Sequence, residues 1–209
     1  MNEPTSTRIV TSMKTAFALL MLAAAPALAQ TSEFGILVGG SKRLISHSDQ
    51  AAGIGVSDKF KFGNSVREIY YAVQLDPGTN FKIKAGQIEG PVAFQYLNGN
   101  TKARTDIAKG KVEHVDGIID YRFSEVFGST GLFGGVGLYR QRGSITDQAV
   151  PVEQRGSTEE TNYGFQGGVN GDFPLSRRVG FVAEVAYHWI NFNYKPRYIT
   201  LSGGFRFSF

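Results

Sequence analysis

The sequence predicts an all-β fold: an eight-stranded antiparallel up-and-down transmembrane β-barrel. Apolar and polar residues alternate over repeated segments of about ten residues, alternately long and short connections join the segments, and aromatic residues cluster near the segment ends. The 209 residues include 26 Gly, 16 Phe and 9 Tyr but no Cys. This composition favours strands and tight turns, and the lack of Cys excludes disulfides and thiolate metal sites.

The first 29 residues have the features of a secretory signal peptide. Lys14 precedes a short apolar run that ends in small residues at Ala29. The run is too short for a membrane-spanning helix, which needs about 20 residues. Cleavage after Ala29 leaves residues 30–209 as the barrel domain, and Met13 is an alternative start of the chain. A retained N-terminal anchor is the competing interpretation.

The first four predicted strands are 34–42, 66–75, 80–88 and 112–123. The first is rich in glycine and apolar at both parities, so its faces are not assigned. The other three alternate between an apolar face and a polar or small face, as a strand between lipid and a barrel lumen does. Their apolar faces carry Ile69, Tyr71, Val73, Leu75, Phe81, Ile83, Ala85, Val115, Ile119, Tyr121 and Phe123.

The last four predicted strands are 131–142, 161–173, 179–190 and 199–209. Glycine again obscures the faces of the first, whereas the other three alternate cleanly. Their apolar faces carry Tyr163, Phe165, Val169, Phe173, Phe181, Ala183, Val185, Tyr187, Trp189, Ile199, Leu201, Gly203, Phe205, Phe207 and Phe209.

The lengths of the connections predict the orientation. Barrels of bacterial outer membranes have short periplasmic turns and longer extracellular loops, so both termini are expected in the periplasm and the long loops outside. Pro77 and Gly78 mark one of the tight turns. The long connections are 43–65, 89–111 and 143–160, the short ones are 76–79, 124–130 and 174–178, and a short outer loop is predicted at 192–197.

Aromatic residues on the apolar faces fall at two depths. Such clustering predicts the two aromatic girdles of a membrane barrel. A soluble ligand-binding barrel of lipocalin type would instead have an apolar interior and a polar exterior. The girdle near the termini comprises Phe81, Phe123, Phe173, Phe181 and Phe207, and the opposite girdle comprises Tyr163, Tyr187 and Trp189.

The C-terminal segment 201–209 ends in alternating aromatic residues, with Phe205, Phe207 and Phe209 on one face. With this terminus, residues 33–209 resemble the small eight-stranded outer-membrane proteins of the OmpX and OmpA transmembrane-domain type. The resemblance implies that these three residues form the signal read by the outer-membrane assembly machinery. It also implies periplasmic chaperones as partners during biogenesis, and outer-membrane lipid and lipopolysaccharide as surroundings.

The polar faces place ionisable residues in the lumen. An eight-stranded barrel has room for side chains but not for a wide channel, and buried charges must be paired. Symmetric pairing across the last hairpin places Glu184 opposite Arg206. This polar network is expected to plug the barrel, and a narrow gated ion path is the alternative. Its members are Glu68, Lys82, Lys84, His114, Asp116, Asp120, Arg122, Glu184 and Arg206.

The sequence offers little support for catalysis. Ser46-His47-Ser48-Asp49 has the residue types of a hydrolytic triad, but adjacency in a loop does not ensure the required geometry. We expect a solvated loop there, and a lipid A-modifying enzyme is the alternative. The three histidines, His47, His114 and His188, show no metal-ligand spacing. No catalytic residue, cofactor or metal site is predicted.

The net charge of +4 is small and dispersed, which argues against a nucleic-acid partner. Basic residues in the predicted outer loops are either solvated or meet phosphates of lipopolysaccharide. Together these observations favour a monomeric barrel with a structural or surface-interaction role. The basic residues are Lys42, Arg43, Lys59, Lys61, Arg67, Lys102, Arg104, Lys109 and Lys111.

Overall fold

The computed structural model describes residues 31–99, 101–125, 128–148 and 150–209, except 45–63. Their eight strands are β1 Ser32–Leu44, β2 Ser65–Asp76, β3 Thr79–Asn98, β4 Thr101–Glu125, β5 Gly128–Ile145, β6 Gly156–Pro174, β7 Val179–Ile190 and β8 Arg197–Ser208. Each strand pairs antiparallel with its neighbours in sequence, and β1 pairs with β8 to close the barrel. The predicted fold class and strand number are confirmed.

The predicted signal peptide, residues 1–29, lies outside the described residues, as does most of the connection between β1 and β2. In the described part of the chain, no helix is long and apolar enough to span a membrane. The described connections contain one short 3-10 turn, Val152–Gln154.

The barrel has two distinct ends. The terminus end holds the start of β1, the end of β8 and the short connections that follow β2, β4 and β6. In the first of these connections Gly78 has a φ of +96°, a backbone conformation that favours glycine. Its carbonyl accepts a hydrogen bond of 2.6 Å from the Arg122 backbone N–H. The loop end is opposite and holds the other four connections.

The predicted long connection 89–111 is wrong for most of its length. Strand β3 continues to Asn98 and β4 begins at Thr101, so the two strands form a long hairpin. The Gly90-Pro91 pair hides this continuation in the sequence, because proline within an apolar run normally indicates the end of a strand. The predicted connection 143–160 is also shorter, since only residues 146–155 separate β5 from β6.

Inward and outward side chains alternate along the strands, and the structure assigns faces to β1 and β5. In β1, Leu37 is buried in the lumen while Ile36 and Val38 are exposed on the outer wall. In β5, Phe133 is 7% exposed and Leu132 is 54% exposed. The exterior is apolar and the interior carries the charges, which is the reverse of a lipocalin-type barrel.

Closure between β1 and β8 depends on two inward-facing glycines. A Cβ atom added to Gly39 would collide with the backbone of Leu201, and one added to Gly204 would collide with the backbone of Ile36. Glycine therefore permits the two strands to bend together where the barrel closes.

Candidate functional site

The outer wall carries aromatic side chains near both ends. The eight residues of the two predicted girdles occupy outward-facing positions, five of them near the terminus end and three toward the loop end. Near the terminus end, the Phe173 and Phe181 rings lie 6.4 Å apart. Near the loop end, Phe165 and Trp189 lie 5.5 Å apart. Exposed aliphatic residues lie between these rings; they include Leu132, Val136, Val169, Val185 and Leu201.

Arg122 is the centre of a charged cluster inside the terminus end. It donates two hydrogen bonds to Glu33, of 3.1 and 2.8 Å, and single hydrogen bonds of 3.1 Å to both Asp120 and Asp172. Arg206 approaches from β8 and donates to the same Asp172 oxygen at 2.5 Å. Arginine suits this position because its planar group engages several carboxylates at once.

Lys82 extends this terminus-end cluster toward the middle of the barrel. Its Nζ lies 2.8 Å from Asp120 Oδ2, and both side chains are almost fully buried. The other oxygen of Asp120 accepts a 2.7 Å hydrogen bond from the Asn170 amide. Three basic residues, Lys82, Arg122 and Arg206, thus face three carboxylates, those of Glu33, Asp120 and Asp172, and their formal charges balance.

A second cluster fills the middle of the lumen. Lys84 forms a buried ion pair with Glu184, and its Nζ lies 4.0 Å from Glu68. His114 contacts Glu68 at 3.5 Å and Asp116 at 2.5 Å. This middle cluster joins β3 to β7 across the interior and β2 to β4, so it braces pairs of strands that are not neighbours in the barrel wall.

The predicted pair between Glu184 and Arg206 is wrong. The β7–β8 register places Glu184 opposite Ser202 and Arg206 opposite Gly180. The hairpin begins earlier than the sequence suggested, because Trp189 already pairs with Arg197. Each side chain instead finds its partner across the lumen, Glu184 at Lys84 and Arg206 at Asp172.

Sequence reasoning missed Glu33, Tyr139 and Asp172 as members of this interior network. Glu33 precedes the first predicted strand, 34–42, and Tyr139 lies in a glycine-rich strand whose faces were not assigned. Tyr139 stacks on His114 with ring centroids 5.3 Å apart, and its hydroxyl lies 3.1 Å from His188 Nδ1. The other ring nitrogen of His188 lies 3.3 Å from the Thr200 hydroxyl. The available signal was the alternation of inward and outward residues. The faces of β1 and β5 could have been inferred from neighbouring strands whose faces were assigned.

An apolar cluster, which we call the mouth cluster, fills the loop end of the lumen. The sequence did not predict it, because its members come from six strands and two connections. Its buried members are Val66, Ile88, Val92, Phe94, Val112, Tyr139, Ile145, Val150, Ile190, Phe192 and Tyr198, and Tyr96 and Ile107 pack against it. The described lumen is thus closed by charged side chains at one end and by apolar side chains at the other.

The remaining candidate residues are spread over the loop end. The Ser46–Asp49 segment and Lys59 and Lys61 lie outside the described residues. Arg67 and Lys111 are exposed on the outer wall beyond the apolar belt. Nearby, Glu113 on the outer wall forms an ion pair with Arg140 at 2.8 Å.

Comparisons with known proteins concern the whole barrel. A family model described as "Outer membrane protein beta-barrel domain" matches residues 15–207. None of the curated proteins searched matches the chain. A major outer membrane protein from Thermus thermophilus is similar, with 9% identity and a TM-score of 0.55, and the match covers 86% of this chain and 99% of that one. Neisserial surface protein A has 14% identity and a TM-score of 0.53, with 86% of this chain and 97% of that one covered. The attachment invasion locus protein Ail of Yersinia pestis has 14% identity and a TM-score of 0.51, with 87% of this chain and 100% of that one covered. At these identities the likeness concerns the fold alone.

Proposed function

The chain belongs to the family of outer membrane protein beta-barrel domains, a family of bacterial outer-membrane barrels, and we propose that it serves there as a monomeric structural or surface-interaction protein. One observation carries this proposal. The exterior is apolar, while the described lumen is filled with paired charges and closed by the mouth cluster. A filled lumen supports a barrel that acts through its outer surface and connections rather than by conducting solutes.

We further propose that both termini are periplasmic and that the loop end faces the exterior. The short connections at the terminus end support this orientation, because the short turns of membrane barrels are periplasmic. The chain has no Cys, so single cysteines can report it. In intact cells, a membrane-impermeant maleimide should label Val152→Cys at the loop end. Arg177→Cys at the terminus end should react only after permeabilisation, and the reverse labelling would contradict the orientation.

The proposal also assigns roles to exposed residues. Arg67 and Lys111 are exposed beyond the apolar belt, and we assign them to contacts with phosphates of lipopolysaccharide. Phe205 and Phe207 lie on the outer face of β8, and Phe209, which follows the strand, is 70% exposed. We assign them to recognition by the assembly machinery, after periplasmic chaperones have delivered the chain. Replacing all three by alanine should reduce the folded protein in the outer membrane, and unchanged assembly would reject this role.

We also propose that residues 1–29 are removed as a signal peptide during export. The mass of the mature protein from native membranes should correspond to a chain that begins at Gln30, and a retained segment would favour the anchor interpretation. A lipid A-modifying activity is the competing function. Incubating the purified barrel with lipid A should leave the lipid mass unchanged, whereas loss or gain of an acyl chain would overturn the structural role.

A further inference from the structure

The long β3–β4 hairpin has a break in pairing at its base. Gly90 pairs with Gly110 and the next pair is Val92 with Ile107, so Pro91 lies opposite two residues of β4. A β-bulge of this kind bends the strand and increases its twist. Proline at the same point cannot donate a hydrogen bond to the ladder. Beyond the bulge, Val92–Asn98 remains paired with Thr101–Ile107. We call this outer part the lid hairpin.

The lid hairpin lies over the loop end of the lumen. Val92 and Phe94 are buried in the mouth cluster, together with Ile190, Phe192 and Tyr198 from β7, β8 and the connection between them. These contacts join the hairpin to the opposite side of the barrel. The hairpin therefore bends across the opening instead of standing away from it.

Side chains from outside the hairpin hold it in this position through hydrogen bonds to its backbone. The Gln154 amide bonds twice to Leu97, accepting from the backbone N–H at 2.8 Å and donating to the carbonyl at 2.9 Å. The other donors act at single carbonyls. They are Gln141 to Ala93 at 3.0 Å and Tyr194 to Ala103 at 3.1 Å. Tyr198 donates to the carbonyl of Pro91, at the bulge itself, at 3.1 Å.

The lumen beneath the lid hairpin contains polar atoms that need hydration. Both amide atoms of Gln166, Asp116 Oδ1 and Gln141 Oε1 are buried without a hydrogen-bond partner among the described residues. Buried polar groups of this kind are usually satisfied by internal water. The terminus-end cluster of paired arginines and carboxylates obstructs one route to them, and the lid hairpin covers the other.

We propose that the lid hairpin pivots at its bulge and admits water and small solutes to the part of the lumen beneath it, at the loop end. Opening breaks the side-chain bonds from Gln154, Gln141 and Tyr194 to the hairpin backbone without unpairing its own two strands. It also withdraws Val92 and Phe94 from the mouth cluster. Opening exposes the lumen from the loop end only, because the charged cluster at the terminus end stays in place. The device is thus a one-sided closure and differs from a conducting pore.

Cysteine accessibility tests the lid in the full-length protein, reconstituted in lipid. Ser202→Cys places a thiol in the buried lumen, because Ser202 is 4% exposed. A small charged methanethiosulfonate should modify it slowly. Adding Gln154→Ala removes both bonds to Leu97 and should raise the rate by about tenfold, as expected for the net loss of two hydrogen bonds. Gln148→Ala, an exposed glutamine in the same connection, is the matched control and should leave the rate unchanged.

Equal rates in the Gln154→Ala and Gln148→Ala backgrounds would overturn the lid, provided that heat-modifiable gel migration shows folded barrels. Hydrogen exchange gives a second test without any substitution. The Leu97 amide, which donates to the Gln154 side chain, should exchange faster than amides at the centre of β7. Equal protection at the two places would also overturn the proposal.

Discussion

Arg122 and Glu33 form a paired double hydrogen bond that joins β4 to β1 across the lumen. The two bonds measure 3.1 and 2.8 Å, and the strands are not neighbours in the barrel wall. Removing one partner of a buried ion pair is strongly destabilising, because the other charge remains without compensation. These two hydrogen bonds therefore hold β1 and β4 together across the lumen, and the two side chains help to fill the terminus end of the barrel.

Arg122→Met should lower the free energy of unfolding by about 3–5 kcal/mol, since three carboxylates lose a shared partner. The single Trp provides the fluorescence signal for urea unfolding in lipid vesicles. Arg177→Met, at an exposed position in the β6–β7 turn, is the control and should change stability by less than about 0.5 kcal/mol. If Arg122→Met lowers the free energy of unfolding as little as Arg177→Met does, the cluster contributes no stability.

Lys84 and Glu184 should be energetically coupled. We expect Lys84→Met and Glu184→Gln each to destabilise the barrel, with the double variant losing much less than the sum, because each single change leaves a buried charge. The same cycle with Glu184→Gln and Arg206→Met should be additive within about 0.5 kcal/mol, since these two residues do not pair. Coupling in the second cycle and additivity in the first would contradict the register.

Closure of β1 on β8 should depend on Gly204. Gly204→Ala places a methyl group against the backbone of Ile36, and we expect a loss of about 1–3 kcal/mol from overpacking. Gly117→Ala is the matched control, because its new methyl group would meet only Phe81 at 3.6 Å. The folded fraction after refolding, measured by heat-modifiable migration, separates the two. A fully folded Gly204→Ala barrel would show that the close approach is not needed.

Phe94 should stabilise the loop end. It is 3% exposed, and Phe94→Ala is expected to cost about 3–5 kcal/mol through the cavity it leaves in the mouth cluster. Leu97→Ala removes an exposed apolar side chain from the same strand and should have little effect. Unfolding in urea compares the two variants. A small effect of Phe94→Ala would mean that the mouth cluster is loosely packed.

Most strands of the barrel wall could be predicted from the sequence. Neighbouring residues alternate because lipid favours apolar side chains and the lumen favours polar or small ones. In β7, for example, Val185 faces outward while Glu184 and Ala186 face the lumen. This two-sided environment produces the alternation that predicted the strands. Glycine obscures the alternation in β5, which is why Tyr139 was not assigned to the interior. Glu33 was missed because β1 begins at Ser32, before the predicted strand 34–42.

Other features could not be predicted from individual strands, because they depend on how strands pair and on which side chains meet across the lumen. The partner of Glu184 depends on strand register and on contacts across the lumen, and Lys84 lies on a distant strand. At the base of the lid hairpin, Val92, Ala93 and Phe94 are buried in succession. Protein covers both faces of the strand there, so apolar and polar residues stop alternating. The sequence pattern therefore indicated a loop instead of a strand.

Conductance in planar bilayers tests the central claim, a membrane barrel with a filled lumen, most directly. Insertion is verified first by quenching of Trp189 fluorescence with brominated lipid, since this residue lies on the outer wall. The inserted protein should then show no stable conductance steps, because charged and apolar side chains close the lumen. Reproducible steps from the inserted, folded barrel would contradict the account and favour a narrow ion channel.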